Sequence, residues 1–407
     1  MIASHDAFTK LLAVVQMDAL HNTGTLADFL SEADLAAIRG PAENARGLPG
    51  RAYGAGFYEL EQRRLFPRRW CPVAFASEIT QPGDALPVEL AGWPLLLVRG
   101  GDGRLRGFLN ICRHRAMRVV PEPKRGLAAL SCPWHGWTYG LDGRLAATPR
   151  VGGEKRHDDP RLCREDINLK PVRLAQWLDL IFVDIESKAP DFEEHIRPVA
   201  ALLSNYALED LYPAEEWSLD YPGNWKVAVE GAIENYHLPY GHPQLLEGGK
   251  SVNSLSHAAE GCVVAVSSAY PMHSAGDGLA EPPRIVRPDP DGLERSFFMI
   301  LFPTGSIWTR PDQIMLGLWL PQGAERTRLR YRHYYPRRIA LDPAYAPWRD
   351  EGAAQFQHVL AQDVPFVRLV HDNTRFLDQA GIRPRFSPYW ETNLPAFHRS
   401  VVDALEV

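Results

Sequence analysis

Two short clusters constrain this chain more than any other stretch: Cys112-Arg113-His114 and Cys132-Pro133-Trp134-His135, a C-x-H and a C-x-x-H separated by seventeen residues. Each supplies one thiolate and one imidazole. Two of each, in that alternating order, suit a [2Fe–2S] cluster whose cysteines hold one iron and whose histidines hold the other. Replacing two anionic thiolates by neutral imidazoles raises the reduction potential, to roughly −150 to +300 mV against about −400 mV for an all-cysteine cluster. Zinc takes the same four donors. A zinc finger, however, groups both cysteines ahead of both histidines, and here the types alternate.

The surrounding pattern turns to β from about Phe57. Val73 to Ile79 is a strand candidate, and Leu95-Leu96-Leu97-Val98 is a short buried one. Gly100-Gly101-Asp102-Gly103 joins it to a strand over 104–110, so this glycine run turns a hairpin and does not open a helix as a phosphate loop must. Leu127–Leu130 leads into the second ligand loop, Asp142-Gly143 turns another hairpin, and Ile181-Phe182-Val183 closes the unit. Arg115 follows the first cluster and Gly136-Trp137-Thr138-Tyr139 the second. With these flanks the stretch resembles the Rieske family, and a small antiparallel β domain clasping the cluster at one tip is expected over 51–186.

Residues 1–50 read as a helical segment, with Leu11, Leu12, Val15 and Leu20 on one apolar face, packing as a cap on the larger domain. Ser187–Pro198, polar and carrying Pro190 and Pro198, reads as the domain junction. Beyond it, strand-like stretches at Cys262–Val266, Ser296–Leu301, Gln313–Leu320 and Thr327–Tyr335 are framed by helical patterns at about 224–238 and 346–379. That order predicts an α+β domain over 187–407, a helix packed across an antiparallel sheet. Ser274–Asp291, rich in glycine and proline, reads as a mobile loop.

A formal net charge of −6 argues against nucleic acid as a partner. No apolar run is long enough to span a membrane, and the N-terminus lacks the order of a signal peptide. Of five cysteines, Cys71, Cys163 and Cys262 remain after the clusters are counted, and they read as reduced, buried thiols of a cytoplasmic protein.

A second constellation lies between Asn224 and His242. Wound as a helix, Trp225, Val229, Ile233 and Tyr236 share an apolar face, while Glu230, Glu234 and His237 form a stripe at i, i+4 and i+7. Pro239 should end the helix and leave His242 just beyond it. An amphipathic helix with a charged outer face explains these residues equally well. Two histidines near a helix end also supply two ligands of a 2-His-1-carboxylate iron site, which leaves positions open for O₂.

Taken in this order, the two motifs resemble the large subunit of the Rieske non-heme iron oxygenases over nearly the whole chain after residue 50. The resemblance implies a helix-grip catalytic domain and Cys112, His114, Cys132 and His135 as cluster ligands. It also implies mononuclear Fe(II) on His237, His242 and an aspartate of the C-terminal helix, Asp363 or, failing that, Asp372. Pro365 should disturb the helix there and help the carboxylate turn inward. Glu234 stands where many members carry an aspartate bridging to a Rieske histidine of the neighbouring subunit, and glutamate occurs there in relatives acting on quaternary ammonium compounds.

By the same resemblance the chain is a terminal mono- or dioxygenase component, a homotrimer. It would use O₂ and electrons from NAD(P)H, delivered by a separate reductase directly or through a ferredoxin, to hydroxylate or oxidatively demethylate a small quaternary amine or aromatic compound. Trp225, Tyr236, Tyr240, Trp308 and Tyr334 are candidates for an aromatic pocket suited to a cation, with Arg310 as a carboxylate anchor. The competing reading is a Rieske electron carrier fused to a non-catalytic ligand-binding domain.

Overall fold

The computed structural model describes residues 24–41, 44–162, 167–245, 256–261, 263–268, 280–289, 292 and 294–406. The Leu11–Leu20 pattern, Cys163, Cys262 and residues 274–279 and 290–291 lie outside the described residues; the described part of the 274–291 stretch is held in place and not loose, with Ile285 and Val286 buried and Ile285 hydrogen-bonded to Ala207 and Pro311. Helices α1 (Glu32–Arg39) and α2 (Ala55–Arg64) come first. The β pattern therefore starts later than Phe57. Phe57, Tyr58, Leu60 and Glu61 are all buried on α2, the i, i+1, i+3, i+4 spacing of an inward helix face.

Strands β1 (Cys71–Phe75), β2 (Ala85–Leu90), β3 (Trp93–Arg99) and β4 (Leu105–Leu109) come next, then the short β5 (Leu130–Ser131), β6 (Thr138–Tyr139) and β7 (Leu145–Ala147), then β8 (Pro171–Trp177) and β9 (Leu180–Asp184). They form an antiparallel six-stranded sheet in the order β1-β9-β8-β4-β3-β2 and a three-stranded sheet β5-β6-β7. The expected junction is largely a helix, α3 (Phe192–Leu202), with Pro198 inside it. Asp191 caps it by accepting the Glu193 N–H at 2.9 Å, and Ile196 and Val199 bury their side chains. An apolar face with a cap outweighed the one hydrogen bond that the proline forfeits.

The second half holds β10 (Leu211–Tyr221), α4 (Trp225–Ala232), the single turn α5 (Leu238–Gly241), β11 (Ser256–Glu260), β12 (Val263–Ser268), β13 (Ser296–Leu301), β14 (Gly305–Thr309), β15 (Ile314–Pro321), β16 (Thr327–Pro336), α6 (Arg337–Leu341), α7 (Ala346–Gln362), α8 (Val364–Leu377) and α9 (Asn393–Glu406). The seven strands pair antiparallel in the order β10-β16-β15-β14-β13-β12-β11.

Strand alternation decides what each face meets. Ile314, Leu316 and Leu318 of β15 pack with Phe75, Phe182, Ile196 and Val199 on one side. Met315 and Trp319 pack with Trp225, Val229, Phe356, Leu360 and Val401 on the other. The large sheet is thus sandwiched between the small β domain with α3 and the helices α4, α7, α8 and α9. No helix among the described residues is long and apolar enough to cross a membrane.

A buried ion pair locks α2 onto α4. Lys226 Nζ lies 2.6 Å from Glu61 Oε1, and neither side chain is exposed. Trp225 Nε1–H donates to the other carboxylate oxygen at 3.1 Å, while the rings of Tyr53, Phe57 and Trp225 surround the ammonium. Burial pushes the Glu61 carboxyl up and the Lys226 ammonium down, each opposed by its partner's charge. Removing one partner strands a charge in the core, so Lys226→Met should destabilise the chain by about 3–5 kcal/mol. The double variant Glu61→Leu/Lys226→Met should regain most of that loss in thermal unfolding.

Candidate metal centres

The two cysteine–histidine loops close in the same way. The Cys112 N–H donates to Met117 O at 2.8 Å and the Ala116 N–H to Cys112 O at 3.0 Å; the Cys132 N–H donates to Trp137 O at 2.8 Å and the Gly136 N–H to Cys132 O at 3.0 Å. The residue four after each cysteine is left-handed, Ala116 at φ 59° and Gly136 at φ 70°. Glycine takes that conformation freely, and alanine only at a cost.

Both thiols are buried and free of disulfides. His114 and His135 lie exposed with ring centroids 4.6 Å apart, and His114 stacks on Trp137. The backbone amides of Trp134 and His135 point at the Cys132 sulfur. The Tyr139 hydroxyl sits 3.5 Å from the Cys112 sulfur and accepts the Arg113 N–H at 3.0 Å. Sulfurs buried among donors and imidazoles turned to solvent fit a cluster with one cysteine-held and one histidine-held iron.

The second centre is assembled from three places in the chain. Asn224 caps α4 by accepting the Lys226 N–H at 3.1 Å. The helix then stops at Ala232, earlier than the periodicity suggests. Asn393, wholly buried, takes up the end by donating to Ile233 O at 3.1 Å and to Ala265 O at 2.9 Å. Glu234 accepts the backbone N–H groups of Tyr236 and, at 3.1 Å, His237, so its side chain competes with helix continuation. The stripe Glu230–Glu234–His237 is consequently broken. Glu230 turns inward to Tyr53 and His398, at 2.8 Å from each. Pro239 lies inside α5 instead of ending a long helix.

His237, His242 and Asp363 come together, with one ligand atom from each all within 4.8 Å of one another. Asp363 Oδ1 lies 3.0 Å from His242 Nε2 and 3.9 Å from His237 Nε2. Donors bonded at about 2.1 Å and at right angles around one ion would stand about 3.0 Å apart, so the set fits a divalent metal. Glu234 contacts His237 Nδ1, leaving Nε2 to face the centre.

Asp363 separates α7 from α8, because Pro365 carries no N–H for the carbonyl four residues back. Beside the break, Tyr221 donates its hydroxyl hydrogen to Leu360 O at 3.2 Å. Asp372 goes elsewhere. It pairs with Arg368 at 3.5 Å and lines a surface cleft of about 630 Å³ with Tyr53, His371 and Arg375.

Among known proteins, residues 69–158 match the Rieske [2Fe-2S] domain and residues 208–407 the ring hydroxylating alpha subunit catalytic domain. The chain belongs to the Rieske non-heme iron oxygenase alpha subunits. It is 33% identical over 245 residues to the glycine betaine monooxygenase oxygenase subunit of Chromohalobacter salexigens, covering 59% of this chain and 52% of that one. It is 29% identical over 204 residues to the carnitine monooxygenase oxygenase subunit of Escherichia coli K12, covering 49% and 53%. The chain spans about half the length of the curated relatives it matches. In fold it is similar to the quaternary ammonium Rieske monooxygenase CntA (TM-score 0.74, 20% identity, 91% of this chain and 98% of that). Naphthalene 1,2-dioxygenase is a further fold neighbour (TM-score 0.70, 16% identity, 91% and 95%).

The aromatic residues of this chain do not gather as the sequence suggests. Trp225 is core, packed on Phe66 and Phe397. Tyr334 lies on the opposite face of the sheet, donating to Asp179 at 2.6 Å. Tyr236 and Tyr240 are 48% and 83% exposed. Trp308 lies on the helix side of the sheet. There it meets Phe356 at 4.4 Å between centroids, beside Tyr331 and Trp217. Burial and the Asp363 charge push the phenols of Tyr221 and Tyr331 up. The sequence does not single out Trp217, Tyr221 and Tyr331, because only strand parity reveals their direction.

Asp363→Ala should lose the mononuclear iron and keep the cluster's visible spectrum, while Asp372→Ala should keep both; iron assay with absorption spectroscopy checks this. Tyr139→Phe removes a hydrogen bond of about 1 kcal/mol to a cluster sulfur. Redox titration should therefore find the potential lowered by roughly 40 mV, at 59 mV per factor of ten for one electron.

Proposed function

We propose that this chain is the terminal oxygenase component of a multicomponent monooxygenase acting on a quaternary amine. The observation carrying the proposal is the pairing, in one chain, of two cysteine–histidine loops with a separate His237–His242–Asp363 triad. An electron carrier has no use for the triad. Cys112, His114, Cys132 and His135 would hold the cluster, and His237, His242 and Asp363 the iron, with Glu234 steadying His237. When bound, the iron supplies O₂ activation at the positions the triad leaves open, and the cluster supplies electrons.

The balance is one substrate C–H, O₂, two electrons and two protons giving C–OH and water. At a carbon bonded to quaternary nitrogen, the hydroxylated product breaks its C–N bond to an aldehyde and a tertiary amine. The chain's own part is to orient the substrate and exclude water. Trp217, Trp308, Tyr331 and Phe356 form an aromatic cluster on the helix side of the sheet, and aromatic faces attract a cation that donates no hydrogen bond. The relatives named for glycine betaine and carnitine favour this class over planar aromatics.

Electrons then come from NAD(P)H through a reductase, with or without a ferredoxin, in the cytoplasm. A homotrimer fits two exposed apolar surfaces: Trp134 and Met117 at the cluster tip, and Phe366, Leu369, Val370 and Phe376 on α8. Glu234 lies beside the exposed Tyr236, where a neighbouring chain's cluster tip would meet it. The units are residues 51–186 for the cluster and 187–407 for the iron, with 1–50 as a cap. Arg39 already pairs with Asp403 and Glu406 of the last helix.

Cluster-loaded, iron-loaded protein supplied with a surrogate reductase should consume O₂ and release aldehyde in proportion with carnitine, γ-butyrobetaine or glycine betaine. Naphthalene and biphenyl should not elicit uptake. Uptake absent with every quaternary amine would overturn the substrate class, and an iron-loaded protein without any substrate-dependent uptake would overturn the oxygenase reading.

A further inference from the structure

We infer that Gln362 is a positioning residue for the mononuclear centre, its side-chain carbonyl fixing His242 in the tautomer whose Nε2 lone pair faces the metal. This rests on the reading of His237, His242 and Asp363 as iron ligands. His242 Nδ1 lies 2.9 Å from Gln362 Oε1. The same oxygen accepts from Gln244 Nε2 at 2.6 Å. On the other edge of the ring, Nε2 stands 3.0 Å from Asp363 Oδ1. The imidazole is 1% exposed, so bulk water does not substitute for either partner.

A neutral imidazole has one N–H and one lone pair, and only the lone pair binds a metal. With Gln362 presenting its oxygen, Nδ1 carries the proton and Nε2 is free to ligate. With the amide reversed, an N–H would face Nδ1, the ring proton would move to Nε2, and the ion would meet a hydrogen. Gln244 supports the first arrangement, its amide Nε2 standing 2.6 Å from the Gln362 oxygen. Two donors thus converge on one carbonyl.

Placement adds economy to the arrangement. Gln362 is the last residue of α7 and Asp363 the next, so one helix end carries a ligand and the partner of another ligand. The two histidines are also treated unequally. His237 leans on the charge of Glu234, and His242 leans on a neutral dipole. An acid at 362 would add a third carboxylate around one divalent ion; the amide gives the same acceptor without that charge.

The test uses full-length, cluster-loaded protein stripped of mononuclear iron and titrated anaerobically with Fe(II) against a competing chelator. The EPR signal with nitric oxide as probe reports the ligand field. Gln362→Leu should weaken Fe(II) binding about 10–100-fold and change the rhombicity of that signal, with cluster absorption and melting temperature unchanged. Gln362→Glu, which keeps an acceptor at the same reach, should restore binding, and Gln244→Leu should weaken it less than Gln362→Leu.

A Gln362→Leu protein binding Fe(II) as tightly as wild type, or a loss that Gln362→Glu does not restore, would overturn the inference. So would a loss that comes only with a lowered melting temperature. Wild-type protein that takes up no Fe(II) beyond the cluster would instead sink the ligand reading beneath it.

Discussion

The Lys226–Glu61 pair holds the two halves of the molecule in register. Its carboxylate comes from a helix that precedes the first strand, and its ammonium from the first turn of the helix that leads into the iron-binding loop. A desolvated charge tolerates little displacement of its partner. The start of α4 is therefore fixed from below by the ion pair and from the side by Asn224, whose amide donates to Tyr53 O at 3.1 Å. At the other end, Asn393 grips the Ile233 carbonyl. The stretch from Glu234 to His242, irregular apart from the single turn α5, hangs from a helix clamped at both ends. A site of this kind draws its precision from its surroundings and not from its own secondary structure.

The cluster loops are legible in the sequence because their chemistry is local: each needs a few consecutive residues and a tight turn, and the repeated closure at Ala116 and Gly136 is the structural expression of the two motifs. The central strands can be read for a similar reason, since β12, β13, β15 and β16 are nearly continuous apolar runs or clean alternations. β10 cannot. Its residues are mostly half-buried, with Tyr212, Glu216 and Ser218 exposed and Tyr221 buried, and Glu215, Glu216 and Asp220 hide the strand until Arg328, Arg330, Arg332 and Arg349 are seen pairing with them.

The 224–238 stretch departs from its periodicity for a different physical reason. Helical spacing persists in the sequence through Tyr236, but Glu234 spends its side chain on the backbone N–H groups ahead of it and ends the regularity early. The meeting of Asp363 with two histidines more than a hundred residues away depends on a helix interruption. Pro365 announces the interruption, and the partners that make it useful, Tyr221 and Gln362, carry no motif. Long-range partners of this sort are set by packing, which a single sequence does not display.

The division of one long helix at Asp363 has a mechanical consequence. α8 is seated closely at its inner side, where a methyl on Gly223 would come within 2.9 Å of Val367, while Phe366, Leu369 and Val370 face outward. The outer flank that carries Phe366, Leu369 and Val370 lies within two turns of Asp363, so whatever covers that flank rests on the helix that begins at the carboxylate.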